Sequence, residues 1–194
     1  TTEIYTLSLH DALPICLGLS ASAYARVIQE VAAIDASLAV TIGAHQSIGL
    51  KAILLFGTDE QKKRYLPKLA TGERVAAFAL TEPGAGSDAA SITTRAELTD
   101  DGRHYVLNGS KIWITNGGFA DVFTVFARTS APDPGVKPRI TALIVERGEG
   151  LTNGPNEEKL GIRGSSTTVA LLAVLSVPVE KVDGQPGRGI TDAR

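Results

Sequence analysis

Hydrophobic and polar residues follow a helical pattern in the first part of the chain and a strand pattern in the second. Between residues 17 and 72, apolar side chains recur at helical spacing, as at Ile34, Leu38 and Ile42. From residue 73 onward, short apolar runs between turn signals predict strands at 75–80, 92–98, 104–107, 111–115, 122–128, 140–145 and 169–177. Helices first and strands second predict an α+β fold, with an antiparallel β-barrel or sandwich as its second part.

Capping residues mark several of the predicted helix ends. Asp35 is predicted to begin one helix, and Gly57 is predicted to end another. The run T-D-E-Q that starts at Thr58 has the pattern of a capping box, with Gln61 at the third helical position. Pro67 fits the last part of the helix that follows.

The segment FALTEPGAGSDAASI, residues 78–92, ends an apolar strand in a glycine turn. Because Gly84 and Gly86 lack side chains, a cofactor can approach the main chain there, and neighbouring N–H groups can form a concave anion site. The same residues match the G-x-G-x-x-A pattern of dinucleotide-binding folds. That interpretation is rejected, because Pro83 precedes the glycines and the residues after Asp88 alternate like a strand, where the motif requires a helix.

The second segment, LNGSKIWITNGG at residues 107–118, is predicted to be a short strand between turns at Asn108-Gly109 and Asn116-Gly117. Strand alternation predicts that Lys111, Trp113 and Thr115 share one face. A flat aromatic ring system could pack against this indole, the only one in the chain, while the threonine hydroxyl bonds a ring heteroatom. Together the two segments predict a flavin site.

Composition excludes some other classes of function. In this chain of 194 residues with a net charge of -2, basic residues are scattered, so no nucleic-acid partner is predicted. The apolar run at 169–177 is much shorter than the roughly 20 residues that span a bilayer, so no membrane segment is predicted. The single cysteine, Cys16, excludes an internal disulfide. The dispersed residues His10, His45 and His104 indicate no metal site and are interpreted as structural.

The strings T-E-P-G-A-G-S-D at 81–88 and W-I-T-N-G at 113–117, in this order and spacing, resemble the acyl-CoA dehydrogenase family. The resemblance extends from about residue 17 to residue 189. The strings G-A-H-Q-S-I-G at 43–49 and E-K-L-G-I-R-G-S at 158–165 are most similar to its very-long-chain branch. One departure is the pair Ala173 and Val174, where relatives usually have an acidic residue and a glycine.

The resemblance implies a domain organisation. Residues 17–72 would be part of an N-terminal helical domain, residues 73–182 a middle β domain, and residues 183–194 the start of a linker to a C-terminal four-helix domain that is missing. Residues 1–16 fit neither the family nor a signal peptide, so we expect this stretch to be foreign to the protein. The compartment stays open, with the cytoplasm expected in a bacterium and the mitochondrion in a eukaryote.

The resemblance also implies site residues. Those aligned with Phe78, Leu80 and Thr81 would line FAD, and Ser87 would sit where FAD and acyl-CoA meet. The remaining expected contacts to the flavin come from the second segment, where Trp113 would cover one ring face with Ile114 and Thr115 beside it.

The implied reaction converts an acyl-CoA, preferentially one with a long chain, to the trans-2-enoyl-CoA in fatty-acid β-oxidation. A carboxylate removes the α proton and a hydride passes to FAD, after which an electron-transfer flavoprotein accepts the electrons. The parent enzyme would be a homo-oligomer. Because the family's base is a glutamate of the C-terminal domain, no catalytic residue is assigned here, and Glu82 is interpreted as bonding local backbone.

Two other functions stay open. A flavin-dependent oxidase of the same fold, of the acyl-CoA oxidase or nitroalkane oxidase type, would carry the same motifs. The polypeptide as written could also be an inactive fold fragment, since it would lack the base and part of the cofactor enclosure.

Overall fold

A computed structural model describes residues 20–130 and 139–189 of the chain. The expectations for residues 1–16 and for the stretch from 190 onward therefore lie outside the described residues. The helices are α1 Ala21–Ile34, α2 Ala36–Gly43, α3 Lys51–Phe56 and α4 Asp59–Ala70. The strands are β1 Ala76–Ala79, β2 Arg95–Leu98, β3 His104–Thr115, β4 Val122–Arg128, β5 Ile140–Glu146, β6 Leu151–Asn156, β7 Thr167–Pro178 and β8 Val182–Asp183. This order confirms the predicted α+β class.

The predicted caps are present. The carboxylate of Asp35 accepts hydrogen bonds from the N–H groups of Ser37 and Leu38, which satisfies two free donors at the start of α2. Thr58 and Gln61 form the reciprocal capping box at the start of α4. Gly57 ends α3, although in an extended conformation with φ of -63° and not in the left-handed one.

A π-helical turn, Ala44–Gly49, joins α2 to α3. Within it, His45 accepts a hydrogen bond from the Ala76 N–H through Nδ1, and its Nε2 lies 2.9 Å from the Leu69 carbonyl oxygen. We expected His45 to be structural because the sequence offers it no partner. It has two, and both are backbone groups, so the ring connects the helices to the sheet.

The helical stretch Ala36–Phe56 is also long and apolar enough to cross a membrane, with 21 residues and a mean hydropathy of 1.4. The sequence analysis, which considered the apolar run at 169–177, did not identify this stretch. In its second half, Leu50, Ile53 and Leu54 are buried against Ala76 and other residues of the sheet, whereas Ile48 and Leu55 are exposed. Burial inside the fold therefore accounts for part of the apolar character of this stretch.

The strands form one eight-stranded sheet in the order β6-β7-β3-β2-β4-β5-β8, with β1 also paired to β4. Most neighbours are antiparallel, as predicted. The pairs β1–β4 and β2–β4 are parallel, and β2 meets β4 only at Arg95 and Arg128, so β1 and β2 follow one another along the same side of β4.

The prediction of two strands separated by a turn at Asn108-Gly109 is wrong, because β3 runs without interruption through both residues. An ideal Cβ on Gly109 would come within 2.8 Å of Thr94 Cα, so the glycine permits close approach of the chain entering β2. Strands β6 and β8 were not predicted. Strand β6, LTNGPN, is polar and contains glycine and proline, and it lies at the sheet edge, where proline is tolerated.

Opposite Gly109, β7 contains an extra residue. Leu107 pairs with Leu175 and Gly109 pairs with Leu172, so β7 has two residues between these pairs where β3 has one. Val174 lies in this bulge with a φ of 51°, a left-handed conformation in which a β-branched residue is an outlier. Its N–H donates to the Asn108 side-chain oxygen at 2.9 Å. The departure from the family pattern noted in the sequence thus falls on a strained backbone position.

Candidate functional site

The glycine motif forms a tight turn directly after β1. The N–H groups of Glu82 and Ala85 each donate to the other residue's carbonyl oxygen, both at 3.1 Å, and Pro83 lies exposed between them. An ideal Cβ built on Gly84 or Gly86 would meet no atom within 4 Å. The main chain of this turn is therefore open to an approaching ligand.

Only a 3-10 turn, Ala89–Ser91, lies between the glycines and the stretch that leads into β2. A dinucleotide-binding motif would place the N-terminus of a longer helix there to face the pyrophosphate. The rejection of the Rossmann interpretation is therefore confirmed.

The two sequence motifs lie side by side. The N–H of Ile112 donates to the Thr81 carbonyl oxygen at 2.9 Å. One residue earlier, the ammonium of Lys111 donates to the Leu80 carbonyl oxygen at 3.0 Å and to the Glu82 carboxylate at 2.8 Å. The end of β1 and the middle of β3 are thus joined by three hydrogen bonds, although about thirty residues separate them along the chain.

Trp113 lies in a second bulge, which breaks the predicted alternation. Lys111 pairs with Ala170 and Ile114 pairs with Thr168, so β3 has one residue more than β7 between these pairs. Trp113 has a φ of 57° and is 62% exposed, whereas Lys111 is 0% exposed. The prediction that these two side chains share a face is therefore wrong, because the extra residue turns the indole outward.

The other predicted cofactor residues differ in exposure. In the turn, Ser87 is exposed, while Leu80 and Thr81 are half-buried. Beyond the bulge, Ile114 is buried in the sheet core and Thr115 is half-buried. The carbonyl oxygens of Leu80 and Thr81 contact the strand that carries Trp113, and Ser87 lies further along the same turn.

Phe78 lies on the helical side of the sheet. Its ring centroid is 4.9 Å from that of Phe126, with the planes tilted by 55°. It contributes to a cavity of about 290 Å³ whose other lining residues come from the helices and neighbouring strands: Ser47, Ile48, Lys51, Ala52, Leu55, Phe56, Phe126, Ala142 and Asp183. Among the described residues, Trp113 and Thr115 do not line this cavity.

Lys111 and Glu82 form a buried ion pair under the turn, with exposed fractions of 0% and 3%. Burial opposes ionisation of Glu82, but hydrogen bonds from Lys111, Thr94 and Thr93 outweigh it and lower the pKa of Glu82 to about 2. Burial lowers the pKa of Lys111 to about 8, against the effect of the Glu82 hydrogen bond and charge. Both groups are therefore ionised at neutral pH.

Glu82 was interpreted as bonding local backbone. It does accept hydrogen bonds from backbone N–H groups, but these groups are not local. Its carboxylate accepts from the N–H groups of Thr93 at 2.6 Å and Thr94 at 3.0 Å, eleven and twelve residues later in the chain. Sequence reasoning missed its pairing with Lys111. The available signal was a lone lysine within an apolar strand segment, K-I-W-I. This pattern is as typical of a lysine that points to solvent as of a buried, paired one.

Asn116 is a further buried residue that the sequence analysis assigned only to a turn. It has a φ of 65°, and its side-chain N–H group donates to the Thr41 carbonyl oxygen at 3.0 Å. The end of α2 is thereby tied to the segment that follows Trp113.

Comparisons with known proteins agree with this architecture. A model of the acyl-CoA dehydrogenase middle domain matches residues 77–172, and a model of the N-terminal domain of the same family matches residues 15–73. The human protein named very long-chain specific acyl-CoA dehydrogenase, mitochondrial, is 55% identical over 177 residues, which make up 89% of this chain and 27% of that protein. The chain thus spans about a quarter of the length of this relative.

Two solved structures are also similar. An acyl-CoA dehydrogenase complexed with FAD from Bacillus anthracis is 49% identical, with a TM-score of 0.76 over 81% of this chain and 26% of that one. Butyryl-CoA dehydrogenase from Megasphaera elsdenii is 42% identical, with a TM-score of 0.82 over 87% of this chain and 44% of that one.

Proposed function

The chain belongs to the acyl-CoA dehydrogenase family, and on this basis we propose that it forms part of an FAD site in a protein that oxidises acyl-CoA. One observation carries the proposal: the hydrogen bond from the Ile112 N–H to the Thr81 carbonyl oxygen, 2.9 Å long, holds the open glycine turn beside the strand that presents Trp113. A solvent-facing indole and an uncovered main chain are thereby brought onto one small region of the sheet.

The residues present fit a flavin. The absence of neighbours around Gly84 and Gly86 leaves room for a ligand to reach the main chain. The indole of Trp113 is a large apolar surface that is exposed in this chain and suited to stacking on a planar ring. We assign Leu80, Thr81, Ser87, Trp113, Ile114 and Thr115 to FAD, with Ser87 also near the acyl-CoA.

We also assign Phe78 to the lining of the FAD site. Its ring packs against Phe126 and lines the cavity beside α3.

The chemistry that FAD supplies when bound is acceptance of a hydride from the carbon β to the thioester. The chain's own groups orient the cofactor and exclude water from one of its faces. A carboxylate base must remove the α proton, and it must be free to accept that proton. Glu82 and Glu146 are held in ion pairs with pKa values of about 2, so we assign neither of them as the base.

We further propose a preference for long acyl chains, within fatty-acid β-oxidation. Its support is the higher identity to the very-long-chain specific relative, 55%, than to butyryl-CoA dehydrogenase, 42%. An electron-transfer flavoprotein is the proposed electron acceptor, and a homo-oligomer is the proposed assembly.

An anaerobic titration of the complete gene product tests the proposal. The oxidised flavin band in the visible spectrum should bleach on addition of palmitoyl-CoA, and less so at equal concentration of butyryl-CoA. Equal bleaching by both would contradict the long-chain preference and leave the dehydrogenase proposal standing. A colourless protein that takes up no added FAD would overturn the flavin site itself.

The rate at which oxygen reoxidises the reduced flavin distinguishes a dehydrogenase from an oxidase. Stopped-flow mixing of the substrate-reduced protein with oxygenated buffer should give slow recovery of the flavin band. Fast recovery would favour an oxidase of the same fold over a dehydrogenase.

A further inference from the structure

Lys111 is a fully buried lysine in the middle of a strand, with an exposed fraction of 0%. Burial of an ammonium group costs several kcal/mol unless it is well paired, and an apolar side chain of similar volume often gives equal or better stability. The described structure supplies Lys111 with two acceptors, the Leu80 carbonyl oxygen and the Glu82 carboxylate. An ion pair at this position therefore needs a reason other than the stability of the fold.

The carboxylate of Glu82 brings a third stretch of chain to the same point. Besides Lys111, it accepts hydrogen bonds from the Thr93 and Thr94 N–H groups and from the Thr93 hydroxyl at 2.8 Å. Residues 80–82, 93–94 and 111 thus converge on one ion pair. Because hydrogen bonds are directional, this arrangement fixes the relative placement of the three stretches more narrowly than apolar packing would.

The pair also lies at the start of the bulge that exposes Trp113. Lys111 is the last residue of β3 in regular register with β7 before the bulge, and register resumes at Ile114. Between them, Ile112 is tied to the turn through its N–H. Bulges re-aim side chains, and their direction depends on how the residues on each side are held.

We propose that the Lys111–Glu82 ion pair is a positioning device that fixes the direction of the Trp113 indole relative to the glycine turn. The effect of this ion pair on cofactor binding rests on the proposed flavin site. Its effect on the direction of the indole is independent of that site and can be measured without any flavin. Neither residue is proposed to contact substrate or to exchange a proton during the reaction.

The test uses Trp113 as its own reporter, because it is the only tryptophan of the chain. Emission spectra and acrylamide quenching of the 194-residue chain are compared for wild type, Lys111→Met, Glu82→Gln and the double variant. Lys111→Met leaves a buried carboxylate without its cation and should lower stability. The double variant removes both charges but keeps an acceptor for Thr93 and Thr94, so its stability should partly recover.

The positioning role predicts that the emission maximum and the quenching constant change in all three variants, the double variant included. Recovery of stability without recovery of the wild-type emission is the result that a merely structural ion pair would not give. If the double variant regains wild-type emission and quenching, the proposal is overturned. Should Lys111→Met fail to fold, Glu82→Gln and the double variant still give this answer.

Two control variants separate position from stability. Leu66→Ala removes a buried side chain in the helical cluster and should lower stability with unchanged Trp113 emission. Lys68→Met removes a lysine from the exposed ion pair with Glu73 and should change neither. An emission shift in Leu66→Ala equal to that of the double variant would also overturn the proposal, since emission would then follow stability alone.

FAD binding to the complete gene product distinguishes the two proposals. The double variant should bind FAD about tenfold or more weakly than wild type, as expected when a contact surface is misdirected. If wild type binds no FAD, the proposed function fails, and the fluorescence result still decides the positioning. If FAD binds the double variant as tightly as wild type, the pair has no role in the site.

Discussion

The imidazole of His45 accepts a hydrogen bond from the Ala76 N–H, with 2.9 Å between the two nitrogens. Its other nitrogen lies 2.9 Å from the carbonyl oxygen of Leu69 at the end of α4. A neutral ring with its proton on Nε2 satisfies both contacts. Protonation of Nδ1 would direct one N–H against another and break the link between the helices and β1.

This relationship predicts a pH dependence of stability. Burial lowers the pKa of His45 below its ordinary value of 6.5, against the raising effect of the Leu69 hydrogen bond. The unfolded chain therefore takes up the proton first, so this contribution to stability decreases as the pH falls below about 6.5. In thermal denaturation followed by circular dichroism, wild type should lose Tm between pH 7 and pH 5, and His45→Gln should lose less. An equal loss in His45→Gln contradicts the assignment. His104→Gln is the matched control, and its Tm should decrease between pH 7 and pH 5 by as much as that of wild type.

A second prediction concerns Glu146, which connects α4 to the sheet. Its carboxylate lies 2.9 Å from Arg64, Lys181 and the Tyr65 hydroxyl, and 3.3 Å from Arg74. Glu146→Gln should cost about 1–3 kcal/mol at pH 7, since it removes a charged acceptor from several donors. Urea denaturation measures this cost. Glu73→Gln, which breaks the exposed pair with Lys68, should leave the urea midpoint close to that of wild type, because solvent screens that pair.

Acid should remove the contribution of Glu146. Burial opposes its ionisation, but the hydrogen bonds from Lys181 and Tyr65 and the nearby positive charges outweigh it and lower its pKa to about 2. A carboxylate with a lowered folded pKa stabilises the fold above its unfolded pKa, and the contribution is lost as the pH falls from about 4.5 to about 2. The stability difference between wild type and Glu146→Gln should therefore shrink across this window. A constant difference would show that the carboxylate's charge is not what stabilises the fold.

A third prediction is that Val174→Gly stabilises the chain. A residue with a side chain in the left-handed region lowers stability by about 1–2 kcal/mol. Glycine removes this strain, but its greater freedom in the unfolded chain lowers stability by about 0.5–1 kcal/mol. The net gain should be about 0.5–1 kcal/mol, measured as a higher urea midpoint at unchanged slope. Ala173→Gly, one residue earlier and without positive φ, should instead destabilise. A lower midpoint for Val174→Gly would mean that the valine side chain contributes more than the backbone strain costs.

The fourth prediction separates the role of the open glycines from that of the packed ones. Gly86→Ala should leave stability within about 0.5 kcal/mol of wild type, because its Cβ meets no atom within 4 Å. In the complete gene product it should nevertheless weaken FAD binding about tenfold, since the methyl group occupies the approach to the main chain. Gly49→Ala should destabilise by about 1–3 kcal/mol, because its Cβ would lie 2.8 Å from that of Ala76. Unchanged FAD affinity in Gly86→Ala would exclude the turn as a cofactor contact.

Local features of the fold could be predicted from the sequence, whereas most long-range contacts could not. Asp35 and Thr58 cap the helices as expected, because capping depends on residues three positions apart. The Asn108-Gly109 pair was misinterpreted as a turn between two strands. Its glycine serves the approach of Thr94, a contact that no local pattern encodes.

The candidate site shows the same division. Both motifs and their proximity were predicted, and the contact between Ile112 and Thr81 agrees with that expectation. The predicted direction of the Trp113 side chain relative to that of Lys111 was wrong, because it depends on a bulge in the pairing of β3 with β7. Parallel pairing of β1 with β4 was also missed, because strand direction follows from the path of the whole chain.

The pairing of β3 with β7 has a consequence for synthesis of the protein. Lys111 faces Ala170, so the strand that carries Trp113 leaves the ribosome well before the strand that completes its hydrogen bonds. Until β7 emerges, one edge of β3 is unpaired, and such an edge is a template for wrong partners. Complete pairing of the strand that carries Trp113 therefore has to wait until residues 167–178 have been synthesised.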